Sequence, residues 1–217
     1  VFLQLEIIKL SLKGEKKMIF LDLSEGLGNQ MFQYAFGRYL QNVYGTKLYL
    51  NTSSFKHNVN NKSYSLKHLY LNENVVVPKN NVRIPLNIYS KAIRFFVRKI
   101  LRINPYSEEY YFKMISHGFY MSSQVFKYLN VPKTNKRNIF VLGSWQSNKY
   151  FLSINDKIKN ELRVKTEPND RNKEYIRDIQ NCESVCVHIR LGDYTSPQWS
   201  HLHVCTPNYY LKGMDYI

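Results

Sequence analysis

Residues 18–51 read MIFLDLSEGLGNQMFQYAFGRYLQNVYGTKLYLN. MIFLDL at 18–23 is a short apolar run bounded by a polar turn, the pattern of a buried parallel strand. Beyond the turn, Met31, Phe32, Ala35, Phe36, Tyr39, Leu40 and Val43 recur at helical spacing and give a helix one apolar face. Gly45 stands where that helix has to end, and KLYLN at 47–51 follows as a second strand. Strand, glycine loop, helix and strand make a βαβ unit, which predicts an α/β fold.

Working outward, residues 52–90 are polar, Asn-rich and weakly periodic, and read as loops. NIYSKAIRFFVRKILRI at 87–103 reads as a basic amphipathic helix, either a solvated surface helix or one lying on an anionic membrane. NIFVLG at 138–143 is a further strand, followed by SWQSNKYF and a charged helical stretch from about 153 to 180. SVCVHI at 184–189 is a near-continuous apolar run that predicts a central strand and leads into RLGDYTSPQW. In an open α/β sheet, ligands bind beyond the carboxyl ends of strands, where both SEGLGNQ and HIRLGDY fall on this reading.

The chain of 217 residues has room for one large domain, or one and a fraction of two. A hydrophobic content of 44% supports a packed core rather than disorder. Aromatics make up 15%, with eighteen Tyr, and either fill core and edge strands or line a sugar or base site. Thirty-one Lys and Arg against sixteen acids, a net charge of +15, point to an anionic partner: nucleic acid, nucleotide phosphate or an acidic leaflet. The three cysteines, Cys182, Cys186 and Cys205, form no CxxC pair and read as reduced thiols of a cytoplasmic protein. There is no DxD and no cluster of carboxylates and histidines suited to a divalent cation, so no metal and no cofactor are expected. No stretch has the roughly 20 apolar residues of a membrane span. VFLQLEIIKLSL at the start is a poor signal peptide, and LKGEKKM is encodable as a purine-rich ribosome-binding site before a start codon. Met18 is therefore the expected initiator and residues 1–17 a translated leader outside the fold. Its four Lys and two Glu hardly change the basic balance.

The glycine loop fails as a dinucleotide fingerprint. Met31 stands where GxGxxG needs its third small residue, and the second strand ends in Asn51 rather than a ribose-binding acid. No Gly-Lys-Ser/Thr follows, so it is not a P-loop either. Gly26 and Gly28 let backbone N–H groups approach a ligand, and Asn29 and Gln30 offer neutral amides at the helix N-terminus. The alternative is a turn glycine with Asn29 capping the helix. In HIRLGDY, Arg190 leaves a strand end where a guanidinium can grip a diphosphate, and His188, two residues earlier, shares its face. Gly192 turns the chain. Asp193 orients Arg190, accepts from a sugar hydroxyl or acts as a base. A plain Arg190–Asp193 ion pair closing the strand end is the competing reading, and His188 equally reads as a core histidine.

These stretches together resemble one family, the bacterial α-1,2-fucosyltransferases of glycosyltransferase family 11. GLGNQMFQYAFGRYL is similar to that family's GLGNQMFQYAxxRxL, GSWQSNKYF to GYWQSEKYF, VCVHIRLGDY to VHIRRGDY, and TPNYYLKGMDYI to the Tyr-Tyr helix that follows. The resemblance covers residues 18–217. It implies two Rossmann-like domains of the GT-B type, an acceptor-side domain at 18–150 and a donor-binding domain starting at 151. It also implies inverting, metal-independent transfer of L-fucose from GDP-fucose to the 2-hydroxyl of a terminal galactoside. Arg190 would hold the diphosphate with His188 and Asp193 in support. Gly26, Gly28, Asn29, Gln30 and Tyr194 would bind donor or acceptor.

Three departures stand out. Leu191 replaces the family's second arginine, and Glu25 the first glycine of SGGLGNQ. The family's later donor-binding motifs, ending in an Asn-Ser-Ser/Trp-Trp segment, do not follow, so the expectation is a donor domain cut short and a fragment inactive alone. Inversion needs a base for the acceptor hydroxyl, and Asp193 and Glu25 are the acids in the motifs. The competing class, a nucleic-acid-binding protein, lacks a helix-turn-helix, zinc-finger or RNP pattern, and its bases are spread out, so nucleic acid is not the expected partner. A membrane-surface role for 87–103, at the inner face of the cytoplasmic membrane, is compatible with the enzyme reading.

Overall fold

The computed structural model describes residues 17–55, 63–78, 92, 95–121, 127–189, 191–198, 200–202 and 205–216. The chain divides into two compact units, Val1–Thr166 and Glu167–Ile217.

Unit 1 is built on a five-stranded sheet. Strand β1 (Met18–Asp22) is followed by helix α1 (Leu27–Tyr44) and β2 (Lys47–Asn51), the βαβ unit read from the sequence. Gly45 ends α1 in the left-handed conformation (φ 59°), its N–H donating to the Gln41 carbonyl. Strand β3 (Val75–Val76), helix α2 (Glu108–Ser116), β4 (Phe119–Met121), β5 (Asn138–Leu142) and helix α3 (Asn155–Glu161) complete the unit. Every strand pairing is parallel, in the order β3-β2-β1-β5-β4. A β1 buried on both faces explains its unbroken hydrophobicity. Ile19, Leu21 and Leu23 belong to one apolar cluster and Phe20 to another. Across the second face, Tyr49, Phe20, Phe140 and Phe119 sit in register on four neighbouring strands, with ring centroids 5.0–5.5 Å apart. These aromatics hold the sheet together.

Helix α2 and β4 were not expected. Their signal was present in SEE at 107–109: Ser107 Oγ accepts from the Tyr110 N–H at 3.1 Å, and Glu108 and Glu109 occupy the first turn. Of the expected helix at 87–103, Ala92 and Phe95 are helical and Phe96–Ile100 follows as one wide turn; residues 87–91, 93 and 94 lie outside the described residues. The expected leader 1–17 also lies outside them except for Lys17. Lys17 packs its ammonium 4.6 Å from the Tyr44 ring centroid and accepts through its carbonyl from Thr46.

The stretch read as helical from 153 to 180 is two helices, α3 and α4 (Asp170–Gln180). Pro168 disfavours a helical residue before it, and Asn169 starts α4 by accepting from the Asn172 N–H at 2.9 Å. Tyr150, Ile154 and Ile158 are buried in the unit 1 core, which carries the first compact unit as far as Thr166.

Unit 2 contains α4 and α5 (Pro207–Tyr216), with Pro207 at the first helical position. The strand expected at 184–189 is not formed: the run is irregular, and Val185, Val187 and Ile189 are exposed. A strand exists only through a ladder, and no strand of unit 2 stands among the described residues to pair with this run.

Candidate functional site

In unit 1 the central strand β1 is flanked by β2 and β5. From β1 the chain runs outward through β2 to β3 on one side, while β5 and β4 lie on the other. The loops that leave β1 and β5 are neighbours at the carboxyl end of the sheet, where open α/β sheets bind ligands. SEGLGNQ leaves β1 there, and GSWQSN leaves β5.

The β1 loop is held from inside. Leu23 N–H continues the ladder to the Asn51 carbonyl at 3.0 Å. Gln33, fully buried, accepts from the Ser24 N–H and donates to Ser24 Oγ, both at 3.1 Å. Gln30 is also fully buried. Its amide donates to the carbonyls of Glu25 (2.8 Å) and Ser63 (2.9 Å) and accepts from the Ser65 N–H (2.9 Å). The structure thus gives Gln30 a scaffold position, tying the loop to residues 63–65.

Its neighbours face outward. Gly26 precedes α1 in extended conformation with no side-chain cap on the helix, so the first N–H groups of α1 are left to solvent or a ligand. A Cβ built on Gly26 or Gly28 meets nothing within 4 Å, and neither has a positive φ. The contrast is Gly37 on the same helix, where a Cβ would lie 3.0 Å from Leu21 and 3.1 Å from Leu48. Helix-to-sheet packing explains Gly37. Nothing among the described residues asks for glycine at 26 or 28, and the space beside both is open to an approaching group.

Glu25 sits at φ 67°, a left-handed conformation that costs a non-glycine residue energy. That is the geometric meaning of the family's glycine at this place. The Glu25 carboxylate accepts from Asn29 Nδ2, and Asn29 Oδ1 accepts from Gln146 Nε2. This chain of side chains joins the β1 loop to the β5 loop. Gln146 is presented by a second left-handed residue, Trp145 (φ 55°). The Trp145 ring is buried, stacks on Phe36 at 3.8 Å between centroids and donates its indole N–H to the Leu142 carbonyl at 3.1 Å. Gln146 was missed in the sequence. The usable signal was its place just after a strand end in the same sheet.

Asp22, the last residue of β1, adds a carboxylate at the strand ends. Burial raises its pKa, and the hydrogen bond from Asn51 Nδ2 to Oδ1 (2.7 Å) works the other way. Behind the loop, α1 is clamped to α3. Arg38 donates to both oxygens of Glu161, from Nε at 2.8 Å and from its terminal nitrogen at 2.6 Å, and Tyr34 donates to the same carboxylate at 2.7 Å. Burial raises the Glu161 pKa, but hydrogen bonds from Arg38 and Tyr34 outweigh it and hold the carboxyl below its ordinary value.

In unit 2, His188 is exposed beside an open hollow of about 700 Å³ lined also by Cys186, Cys205, Tyr209, Tyr210 and Lys212. The backbone of Asp193 and Tyr194 forms part of the short turn Gly192–Thr195. Arg190 and the side chains of Asp193 and Tyr194 lie outside the described residues. Among the described residues no group of three or more His, Cys, Asp or Glu is placed to hold a metal ion. No helix among them is long and apolar enough to cross a membrane.

Comparison with known proteins places this architecture. The model of a family described as glycosyl transferase family 11 matches residues 16–217. An alpha-1,2-colitosyltransferase of Escherichia coli is 30% identical over 198 residues, an alignment covering 90% of this chain and 62% of that protein. The chain thus spans about three fifths of that relative's length. No solved structure matches.

Proposed function

The chain belongs to glycosyltransferase family 11, and from that premise we propose that it transfers L-fucose from GDP-fucose to the 2-hydroxyl of a terminal galactoside, with inversion and without a metal or cofactor. The observation that carries the reading is the β1 loop. Gly26 and Gly28 leave open backbone beyond the carboxyl end of β1, where the described residues give glycine no packing role. An exposed helix N-terminus with a linked Asn29–Gln146 pair suits sugar hydroxyls.

The acceptor oxygen attacks the anomeric carbon from the face opposite the diphosphate. The bond from that carbon to the diphosphate breaks, and the nucleotide leaves with the electron pair. Arg190 meets the charge that develops on the leaving diphosphate, with His188 and Tyr194 beside it in sequence. A carboxylate takes the hydroxyl proton, Asp193 within the donor motif or Glu25 at the β1 loop. On this reading the overall architecture is GT-B, with residues 18–150 on the acceptor side and the donor domain starting at 151. The cytoplasm is the expected compartment, and the unbridged Cys182, Cys186 and Cys205 fit it.

A second donor is favoured by a specific observation, the name of the Escherichia coli relative. Colitose is L-fucose without its 3-hydroxyl. A site with a buried partner for that hydroxyl rejects the deoxy sugar by about 10⁴-fold, whereas a site without one accepts both. The test is turnover of GDP-fucose and GDP-colitose on lactose by the chain in full-length context, extended past Ile217. Product with the α-1,2 linkage from GDP-fucose supports the proposal. Transfer from GDP-colitose alone replaces the donor, and transfer from neither ends the reading.

A further inference from the structure

Unit 1 carries an exposed patch that neither its core nor the loops after β1 and β5 use. From Glu73 to Glu108 the sequence contains no other acid, and seven Lys and Arg fall between them. In the described part of this stretch, Val97 is fully buried against Phe20, Tyr110, Met114 and Phe119 and anchors the wide turn Phe96–Ile100. The Leu101 N–H donates to the Phe96 carbonyl at 3.1 Å, and the Ile103 N–H to the Val97 carbonyl at 3.2 Å, so the turn is fixed by its own backbone. Around that anchor Phe95, Phe96, Ile100 and Leu101 are 60%, 46%, 59% and 39% exposed. Arg98, Lys99 and Arg102 lie among them, exposed and without an ion pair among the described residues. Single exposed apolar side chains are ordinary, but four within seven residues are a contact surface.

We propose that this patch docks on an anionic lipid bilayer. The four apolar side chains enter the boundary between headgroups and acyl chains, and the three cations meet anionic headgroups. The charge decides between occupants. A second copy of the chain, seated two-fold on the same patch, would bring Arg98, Lys99 and Arg102 against their own images. A nucleic acid would use the cations and could stack on Phe95 and Phe96, but it would leave the equally exposed Ile100 and Leu101 without a partner. A bilayer satisfies both kinds of side chain.

The test uses the whole chain with vesicles of phosphatidylcholine, with or without phosphatidylglycerol, read by co-sedimentation. The chain pellets with the phosphatidylglycerol vesicles, not with phosphatidylcholine alone, and salt weakens the binding. Replacing Arg98, Lys99 and Arg102 together by Gln lowers the partition coefficient about a hundredfold. Replacing Phe96, Ile100 and Leu101 by Ser leaves a weaker association that salt abolishes. All of these side chains are exposed, so the melting temperature stays put and identifies any variant that fails to fold. The proposal is overturned if the Gln variant pellets like the parent, or if the phosphatidylglycerol vesicles leave the parent in the supernatant. It is also overturned if the substitutions dissolve a dimer, or weaken a DNA gel shift, while vesicle binding stands. None of these readouts involves sugar transfer, so the outcome is independent of the donor assay.

Discussion

Unit 1 and unit 2 differ in where their apolar side chains go. In unit 1, Ile19, Leu21, Tyr34, Phe36, Leu48 and Ile139 are buried to within about a percent of complete, under a parallel sheet with helices. In unit 2 no described residue is buried, and Val185, Val187, Ile189, Leu191, Tyr209, Leu211 and Met214 are all exposed. Yet unit 2 contains HIRLGDY, whose arginine meets the diphosphate in the proposed function, while unit 1 supplies the ordered loop. Stability and the leaving-group chemistry are thus assigned to different units, and substitutions in the two should have separable effects.

The largest effect tests the chemistry. Arg190→Ala, made in full-length context, should lower turnover by about 10³-fold and leave the melting temperature of unit 1 unchanged. Near-normal turnover would remove Arg190 from the leaving-group role. Next comes the opposite case in unit 1. Glu161→Gln leaves Arg38 buried without its counter-charge and should cost about 3 kcal/mol in urea unfolding at neutral pH. A carboxyl whose folded pKa lies below its unfolded one adds stability above the unfolded value, and loses it as pH falls through the folded one. The gap between parent and variant should therefore close from about pH 4.5 downward. A gap independent of pH would show that packing, not charge, holds α1 to α3.

Smaller effects separate the roles within the β1 loop. Glu25→Val puts a β-branched residue at φ 67° and should cost about 1–2 kcal/mol, whereas Glu25→Gly should lie within about 0.5 kcal/mol of the parent. Equal melting of the two would mean that the loop relaxes out of the left-handed conformation. No loss of stability is expected for Gly28→Ala. The added methyl meets open space on a helix, so the fold should be unchanged or up to about 1 kcal/mol more stable. Turnover should fall nonetheless. An alanine variant that transfers sugar normally would reduce Gly28 to an accident of the helix start.

The parts of the fold that were legible from sequence are those with local signals. The β1–α1–β2 unit, the glycine that ends α1 and strand β5 came from periodicity, caps and apolar runs within a few residues of one another, and the last helix from the family resemblance alone. Helix α2 was passed over although its cap was local. The break at Pro168 was local too. The run at 184–189 has the composition of a buried strand and the structure of an exposed segment, because a strand is defined by a neighbour and composition does not provide one. For the site, Gly26, Gly28 and Asn29 were legible as a loop with unusual chemistry.

What the sequence determined alone is the α/β class, the basic charge and the family motifs, since each depends on residue type and spacing. Tertiary structure decided which motif residue does what. Gln30 and Asn29 are adjacent amides of similar chemistry. Packing buries one among the carbonyls of Glu25 and Ser63 and joins the other to Gln146, in the loop after β5 more than a hundred residues away. It also turned Arg38, an ordinary helix arginine in the sequence, into the clamp on Glu161. Such pairings depend on distances across the sheet, which arise only when the strands assemble in the order β3-β2-β1-β5-β4.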